Sequence, residues 1–176
     1  MVDSKHFDIE LQIIHKARPE FGLGNGRPNA IISILFEIDD SNIGSSFLAQ
    51  YQATAASKFS YNLKTLLGDY IEKPIRYFAY KGSMNVPPCE ESVNWYVLEK
   101  TIKMTTAQYK KFSDKWAMNL NFAQGKGNNR KTMGINGREV KMGGIKSEEC
   151  KEDFVSFFGF FVLFIFWIYF TFKVFP

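Results

Sequence analysis

A run of nineteen residues without a charge, from Phe154 to Phe172, constrains this chain more than any other feature. At 1.5 Å per residue, a helix of that length spans roughly 28 Å, which is close to the thickness of a bilayer's hydrocarbon core. Trp167 and Tyr169 suit one membrane interface, and Lys173 can extend to the headgroups. The run predicts a transmembrane helix over 154–172 rather than a buried core helix, because core helices seldom lack polar residues on all sides.

The residues on either side of this run leave two modes of membrane attachment open. Residues 143–153 form a polar juxtamembrane spacer, and residues 173–176 form a short tail. Gly143 and Gly144, at the start of the spacer, supply the small residues of a lipid-anchor signal, whose hydrophobic tail is removed. The protein is therefore expected at a membrane, either as a single-pass protein or through a lipid anchor. The weak charge bias between the two flanks does not fix its orientation.

The composition bounds the size and the partners of the remainder. A chain of 176 residues allows one domain, or one domain with an appendage. Its 22 basic and 18 acidic residues are interspersed and leave a net charge of +4, which indicates an ordinary solvated surface and gives no reason to expect nucleic acid. Cys89 and Cys150 are too few for a disulfide scaffold, and their spacing does not decide whether they pair.

Ahead of the run, the hydrophobic pattern indicates strands and two helices. The strands are expected at residues 7–15, 30–36, 77–80 and 93–98. The helices are expected at residues 46–67 and 105–116, the second capped by Thr105 or Thr106. Stretches rich in glycine and asparagine predict loops at 18–29 and 119–137.

The stretch from Tyr80 to Trp95 joins two of these strands through a rigid loop. Gly82 opens the loop with a turn, and Pro87 and Pro88 remove two backbone donors and fix two consecutive φ angles. Such a loop can hold side chains still at the mouth of a pocket, or it can serve only as a structural turn. The pattern alone leaves both interpretations open.

Written as Tyr-x-Gly-Ser-x-x-x-Pro-Pro-Cys-x-Glu-x-Val-x-Trp, this stretch resembles the signature of the α-class carbonic anhydrases. Other segments resemble further motifs of that family in the same order. They are Glu10–His15 (its Glu-x-His-x-x-His strand), Ala30–Phe36 (its central buried strand), Thr105–Phe112 (its glutamine-containing helix) and Asn128–Arg138 (its closing asparagine and arginine motif). The resemblance covers about residues 5–140, which match only the C-terminal part of the family domain.

The resemblance implies a mixed, mainly β fold. Residues 1–142 would form the C-terminal part of the α-carbonic anhydrase twisted sheet with peripheral helices, followed by the spacer, one hydrophobic transmembrane helix over 154–172 and the tail. The upstream part of the family domain supplies a His-x-His strand and, in secreted members, a signal peptide, so Met1 falls in mid-domain. A truncated sequence is therefore expected, with the domain on the extracellular side.

The family binds zinc through three histidines, and the resemblance places the third of them at Gln12. The other two belong to the upstream part. A neutral amide oxygen is a much poorer zinc ligand than imidazole, so no zinc is expected in this chain alone. Glu10 stands at the family's carboxylate that orients the third histidine, and it is expected to pair with the Gln12 amide. His15 would lie on the opposite strand face and His6 has no partner at metal spacing, so neither is predicted as a ligand.

The loop residues that the resemblance places beside the metal also differ from the family. Asn85 and Val86 stand where the family has two threonines, the first of which accepts a hydrogen bond from the zinc-bound hydroxide. Cys89 matches a cysteine that pairs with an upstream cysteine in secreted relatives. Five apolar residues are expected to form the hydrophobic wall of the substrate pocket, or else ordinary core: Ile14, Ile31, Met84, Val93 and Trp95.

Three functions remain open on this sequence. The first is a membrane-anchored carbonic-anhydrase-related protein, in which the replacements at Gln12 and Asn85 impair the family's zinc-dependent hydration of carbon dioxide to bicarbonate. The second is an active carbonic anhydrase whose site is completed by residues outside a truncated sequence. The third is a non-catalytic membrane subunit of a larger assembly, partnered by an N-terminal half-domain or by other protein subunits, because an incomplete sheet leaves edges and apolar surface exposed.

Overall fold

The computed structural model describes residues 5–16, 29–53, 68, 74–85, 88–91, 93–117, 133–145 and 169–174. Most of the secondary structure in these residues is β. The strands are β1 (Ile9–His15), β2 (Asn29–Ile38), β3 (Ile75–Gly82), β4 (Val93–Leu98), β5 (Ile102–Met104), β6 (Lys141–Ile145) and β7 (Tyr169–Val174). The helices are α1 (Ser46–Ala53) and α2 (Thr106–Ala117). The expectation of a mixed, mainly β fold is confirmed.

All of these strands join one seven-stranded sheet, in the order β6-β3-β4-β2-β1-β7, with β5 also paired to β2. β2 is parallel to β4 and β5 and antiparallel to β1. Its continuous apolar run places Ile31, Ile34 and Phe36 in the interior, each with none of its surface exposed. A strand of this kind needs cover on both faces, and β2 has it: Ile34 and Phe36 pack in the apolar cluster on one face, and Ile31 packs in the cluster on the other.

Each strand sends alternate side chains to the two faces of the sheet, so the two faces have different cores. On one face Ile9, Leu11 and Ile13 of β1 pack in a large cluster with the two helices, whose members include Phe47 and Phe112. Glu10, Gln12 and Ile14 point to the other face, as their alternation along β1 predicts. The second face carries the polar residues that the sequence singles out.

The two helices begin side by side and share one glutamine. Thr105 caps α2. Its Oγ1 accepts a hydrogen bond from the backbone N–H of Gln108 at 3.2 Å, and its own backbone N–H donates to the side-chain oxygen Oε1 of Gln108 at 3.2 Å. This reciprocal pair is a capping box, and it confirms Thr105 as the predicted cap. The same Oε1 accepts from the Ser45 amide at 3.0 Å, and Gln108 Nε2 donates to the Ser45 carbonyl at 2.8 Å, just ahead of α1.

Replacing Gln108 with alanine is expected to lower the free energy of unfolding by about 2–3 kcal/mol, because it removes partners from both helix starts at about 1 kcal/mol for each hydrogen bond. Gln108→Glu is the matched control. It keeps the acceptor oxygen but loses the donor to Ser45, so its effect should be smaller. Urea unfolding followed by circular dichroism measures both. Equal losses for the two variants would contradict the shared role of Oε1.

In the structure, the C-terminal end of the predicted transmembrane segment 154–172 is a strand. Its last four residues, from Tyr169, belong to β7, which also includes Lys173 and Val174 of the predicted tail and pairs antiparallel with β1. The outer edge of β1 offers a row of backbone donors and acceptors, and aromatic and β-branched residues favour a strand there. Residues 154–168 lie outside the described residues. Among the residues that are described, no helix combines the length and the apolar character needed to cross a membrane.

The first two residues of the predicted polar spacer, Gly143 and Gly144, lie within β6. In register, Gly143 stands opposite Tyr77 of β3, and a Cβ atom on Gly143 would come within 2.5 Å of the Tyr77 ring. Glycine is therefore needed there for the close approach of the ring to the backbone. The predicted helix at 46–67 is described only as far as Ala53, where α1 ends.

Candidate functional site

The side chains of Gln12 and Asn85 meet on the polar face of the sheet. Gln12 lies in β1 and is 1% exposed, and Asn85 follows β3 in the loop after Gly82. Asn85 Nδ2 donates a hydrogen bond to Gln12 Oε1 at 2.6 Å. The resemblance places these two residues at the family's metal-binding and hydroxide-orienting positions, and here they bind each other.

A second polar pair lies beside the first. Ser33 of β2 is in register with Gln12 and is fully buried. Its Oγ donates to Glu10 Oε1 at 2.6 Å. The bond that the structure gives Glu10 is thus to Ser33, rather than to the Gln12 amide as predicted. Sequence reasoning missed Ser33, although a serine inside the apolar run of β2 was a signal that a polar partner lies nearby.

The apolar residues predicted for the pocket wall lie together next to this polar set. Ile14, Ile31, Val93 and Trp95 form one buried cluster, and Met84 and Tyr80 pack against it. Ile31 and Trp95 are register partners on the parallel strands β2 and β4. The structure thus brings together all five predicted residues, with Tyr80 added. Their service as the wall of a substrate pocket stays a prediction, since the same packing also makes ordinary core.

Trp95 holds the loop that carries Asn85. Its ring stacks on Tyr80, with ring centroids 6.1 Å apart and the planes 4° from parallel. Its Nε1 donates to the Ser83 carbonyl at 3.1 Å, and the Met84 amide donates to the Glu90 carbonyl at 2.8 Å, which closes the loop. The loop is therefore fixed at both ends and presents Asn85 to β1.

Burial sets the protonation of Tyr80. It raises the pKa of the phenol to about 12, and the negative charge of Glu10 adds to this rise. The phenol is therefore neutral at physiological pH. Gln12, Asn85 and Ser33 carry amide and hydroxyl groups that do not titrate near neutrality. Gln12, Asn85, Ser33 and the neutral Tyr80 phenol can therefore make hydrogen bonds, but none of these four side chains is a general base at neutral pH.

Residues 1–143 match the sequence model of the eukaryotic-type carbonic anhydrase family. The chain belongs to this family. It is 30% identical over 122 residues to mouse carbonic anhydrase 7, covering 63% of this chain and 45% of that protein. It is 29% identical over 122 residues to the human carbonic anhydrase-related protein, covering 63% and 41%. It therefore spans less than half the length of these two relatives.

The fold agrees with this membership. The crystal structure of a halotolerant carbonic anhydrase from Dunaliella salina superimposes with a TM-score of 0.59 at 22% identity, covering 80% of this chain and 54% of that one. The likeness bears on the fold alone. The chain has the twisted, mainly β sheet of the carbonic anhydrases, with few helices.

The carbonic anhydrases are zinc enzymes as a family, but the donors around position 12 do not fit zinc. Zinc favours imidazole nitrogen and thiolate sulfur, whereas Gln12 offers a neutral amide oxygen that already accepts a hydrogen bond from Asn85. In the part of the chain that the structure describes, no three histidine, cysteine or acidic side chains come together as a metal site. No catalytic step through zinc follows from these residues.

The two histidines, which were not predicted as zinc ligands, lie away from the amide pair. His15 is buried on the helix-covered face of β1, opposite Gln12, and burial lowers its pKa to about 4. His6 is exposed ahead of β1. Within the described residues Cys89 has no disulfide partner, and its φ is positive, at 60°. Val86 and Cys150 lie outside the described residues.

A cavity of about 340 Å³ lies where the loop meets the turn at residues 134–138. Its lining includes Lys81, Ser83, Glu91 and Arg138. Arg138 shapes the turn, because its Nη2 and Nε donate to the carbonyls of Gly134 and Ile135 at 2.6 and 2.9 Å. Neither residue of the amide pair lines this cavity.

Proposed function

We propose that this chain is a carbonic-anhydrase-related protein that does not hydrate carbon dioxide. The observation that carries the proposal is the hydrogen bond from Asn85 Nδ2 to Gln12 Oε1. By the resemblance, Gln12 stands at the position of a zinc ligand. Asn85 stands at the position of the side chain that accepts a hydrogen bond from the zinc-bound hydroxide. The Gln12 oxygen, the atom that could approach a metal, already accepts a hydrogen bond, and Asn85 turns its amide nitrogen, a donor, toward position 12.

The chemistry of the neighbours supports the same function. Ser33 and Glu10 are paired with each other, and Tyr80 is a neutral phenol. A hydratase needs a group that generates hydroxide near neutral pH, which in metal sites is the bound metal ion. The similarity to the human protein named carbonic anhydrase-related protein also supports the proposal.

Purified protein is expected to hold far less than one zinc per chain and to leave the hydration rate of carbon dioxide at its uncatalysed value. Elemental analysis after dialysis and stopped-flow hydration assays measure the two quantities. Gln12→Leu is the matched control, because it removes the amide oxygen. Any zinc that binds adventitiously should be equal in the two proteins. One tightly held zinc per chain, lost in Gln12→Leu, would contradict the proposal.

Two alternative functions are each supported by one observation. The chain spans less than half the length of its relatives, so an active carbonic anhydrase completed by residues outside this sequence is the alternative. A subunit of a larger assembly is favoured by apolar side chains that are exposed around β6: Met133, Ile135, Val140 and Met142.

Membrane attachment through the C-terminal run belongs to the proposal as well. Its support is the length and the lack of charge of Phe154–Phe172. A single-pass helix and a lipid anchor both use this run, and the family resemblance favours an extracellular domain. In the sheet, however, the end of the run is β7, so attachment through the whole run requires β7 to leave β1.

A further inference from the structure

The strand β7 and the uncharged run share four residues. β7 covers Tyr169–Val174, and the run covers Phe154–Phe172. In the sheet, each shared residue is in register with one residue of β1: Tyr169 with Ile14, Phe170 with Ile13, Thr171 with Gln12, and Phe172 with Leu11. The segment that pairs with β1 is therefore also the end of the segment that is long enough to cross a bilayer.

These four residues cannot serve both purposes at once. A strand takes its hydrogen bonds from a neighbouring strand, whereas a segment inside lipid must satisfy its backbone groups within its own helix. The fifteen residues left when β7 stays in the sheet would span only roughly 22 Å as a helix, short of the hydrocarbon core. A full membrane span therefore needs Tyr169–Phe172.

The sheet competes with the bilayer for this segment, because β7 protects β1. β7 is the last strand of the sheet in the described residues, and β1 is the strand to which it pairs. The side chains of Leu11 and Ile13 on β1 are almost completely buried. Removing β7 would leave a bare strand edge beside them, and bare edges pair readily with other chains.

The family match adds that β7 is not part of the shared domain. The match ends at residue 143, and β7 begins 26 residues later. The outer edge of β1 is thus covered by a segment that the family model does not include. If β7 leaves the sheet, every strand inside the family match stays paired as before, except that β1 loses one neighbour.

We propose that Tyr169–Val174 has two mutually exclusive partners, the edge of β1 and a lipid bilayer, so that insertion of the tail uncovers β1. This inference rests on the membrane attachment proposed above. It adds that attachment is a choice between two states, and that β7 covers the edge of β1 only in the state that is not inserted.

A disulfide between β1 and β7 tests the exclusion. In the full chain with Cys89→Ser and Cys150→Ser, Ile13→Cys and Phe170→Cys place two thiols at register partners. The Cα atoms of antiparallel partners lie about 4.5–5.5 Å apart, within the range of a disulfide. Lys81→Cys with Asn94→Cys, on β3 and β4, is the matched control, because it locks the sheet and leaves β7 free. Phosphatidylcholine vesicles serve as the probe, since they carry no net charge to attract a +4 protein.

The reduced form of the Ile13→Cys, Phe170→Cys variant is expected to bind the vesicles. Its oxidised form should bind at least about tenfold more weakly, since withholding even one Phe from lipid costs that much. Oxidation of the control variant should change nothing. Equal binding by both forms of the test variant would overturn the exclusion while leaving membrane attachment in place. Failure of the reduced form and the wild type to bind would overturn both. Failure of the disulfide to form would overturn the pairing of β7 with β1.

Discussion

Replacing Trp95 with alanine is expected to lower the free energy of unfolding by about 3–5 kcal/mol, the usual cost of removing a buried aromatic side chain. Trp95 is 6% exposed and lies in the apolar cluster beside the amide pair. Its loss removes the stacking on Tyr80 and the hydrogen bond to the Ser83 carbonyl together. Urea unfolding followed by far-ultraviolet circular dichroism measures the change without relying on tryptophan fluorescence.

Trp95→Phe separates the two contributions. It keeps an aromatic ring in the cluster but cannot donate to Ser83, so its cost should be nearer about 1 kcal/mol for the hydrogen bond plus the smaller ring. Because that bond fixes the loop ahead of Asn85, amide exchange at Met84 and Asn85 should become faster in this variant. Equal stabilities for the two variants would contradict the role assigned to the ring.

Between pH 6.5 and pH 4 the protein is expected to lose about 3 kcal/mol of stability through His15 alone. Burial lowers the pKa of His15 to about 4 in the folded protein, while the unfolded chain keeps the ordinary value of 6.5. In this window the unfolded chain therefore binds the proton more readily. The contribution is fully present above pH 6.5, and it is lost as the pH falls through 4.

The neutral variant His15→Gln is the comparison that isolates this effect, because carboxylates also titrate in the same range. Unfolding free energies measured for both proteins at intervals from pH 7 to pH 4 should converge as the pH falls. The wild type should have the steeper dependence. Parallel curves would mean that His15 is protonated equally in the folded and unfolded states, against its burial on the helix-covered face of β1.

Local sequence patterns predicted the strands and helices whose own residues carry the signal, such as an alternating apolar face or a capping pair. β4 was expected at residues 93–98 and is found there, since Val93, Trp95 and Leu98 supply an apolar face. α2 begins where Thr105 and Gln108 can form a capping box. The approach of Asn85 to Gln12 could be anticipated only through the family resemblance, because 73 residues separate them.

What could not be predicted depended on partners far along the chain. β6 was missed because two glycines are poor strand formers, and only the ring of Tyr77 on the neighbouring strand explains Gly143. The bond of Ser33 to Glu10 required the register of β1 against β2. Tyr169–Phe172 is an uncharged aromatic segment, which is compatible with a helix in lipid and with a strand in a sheet. The local sequence does not show that the edge of β1 is the partner of this segment.

The pairing of β7 with β1 also has a consequence in time. The register joins Ile14 to Tyr169, which lie far apart along the chain, and a ribosome adds roughly 5–20 residues per second. β1 is therefore made roughly 8–30 s before the first residue of the strand that covers it. During that interval β7 does not yet cover this edge of β1, so a chaperone that shields unpaired strand edges would act on the protein at this stage of synthesis.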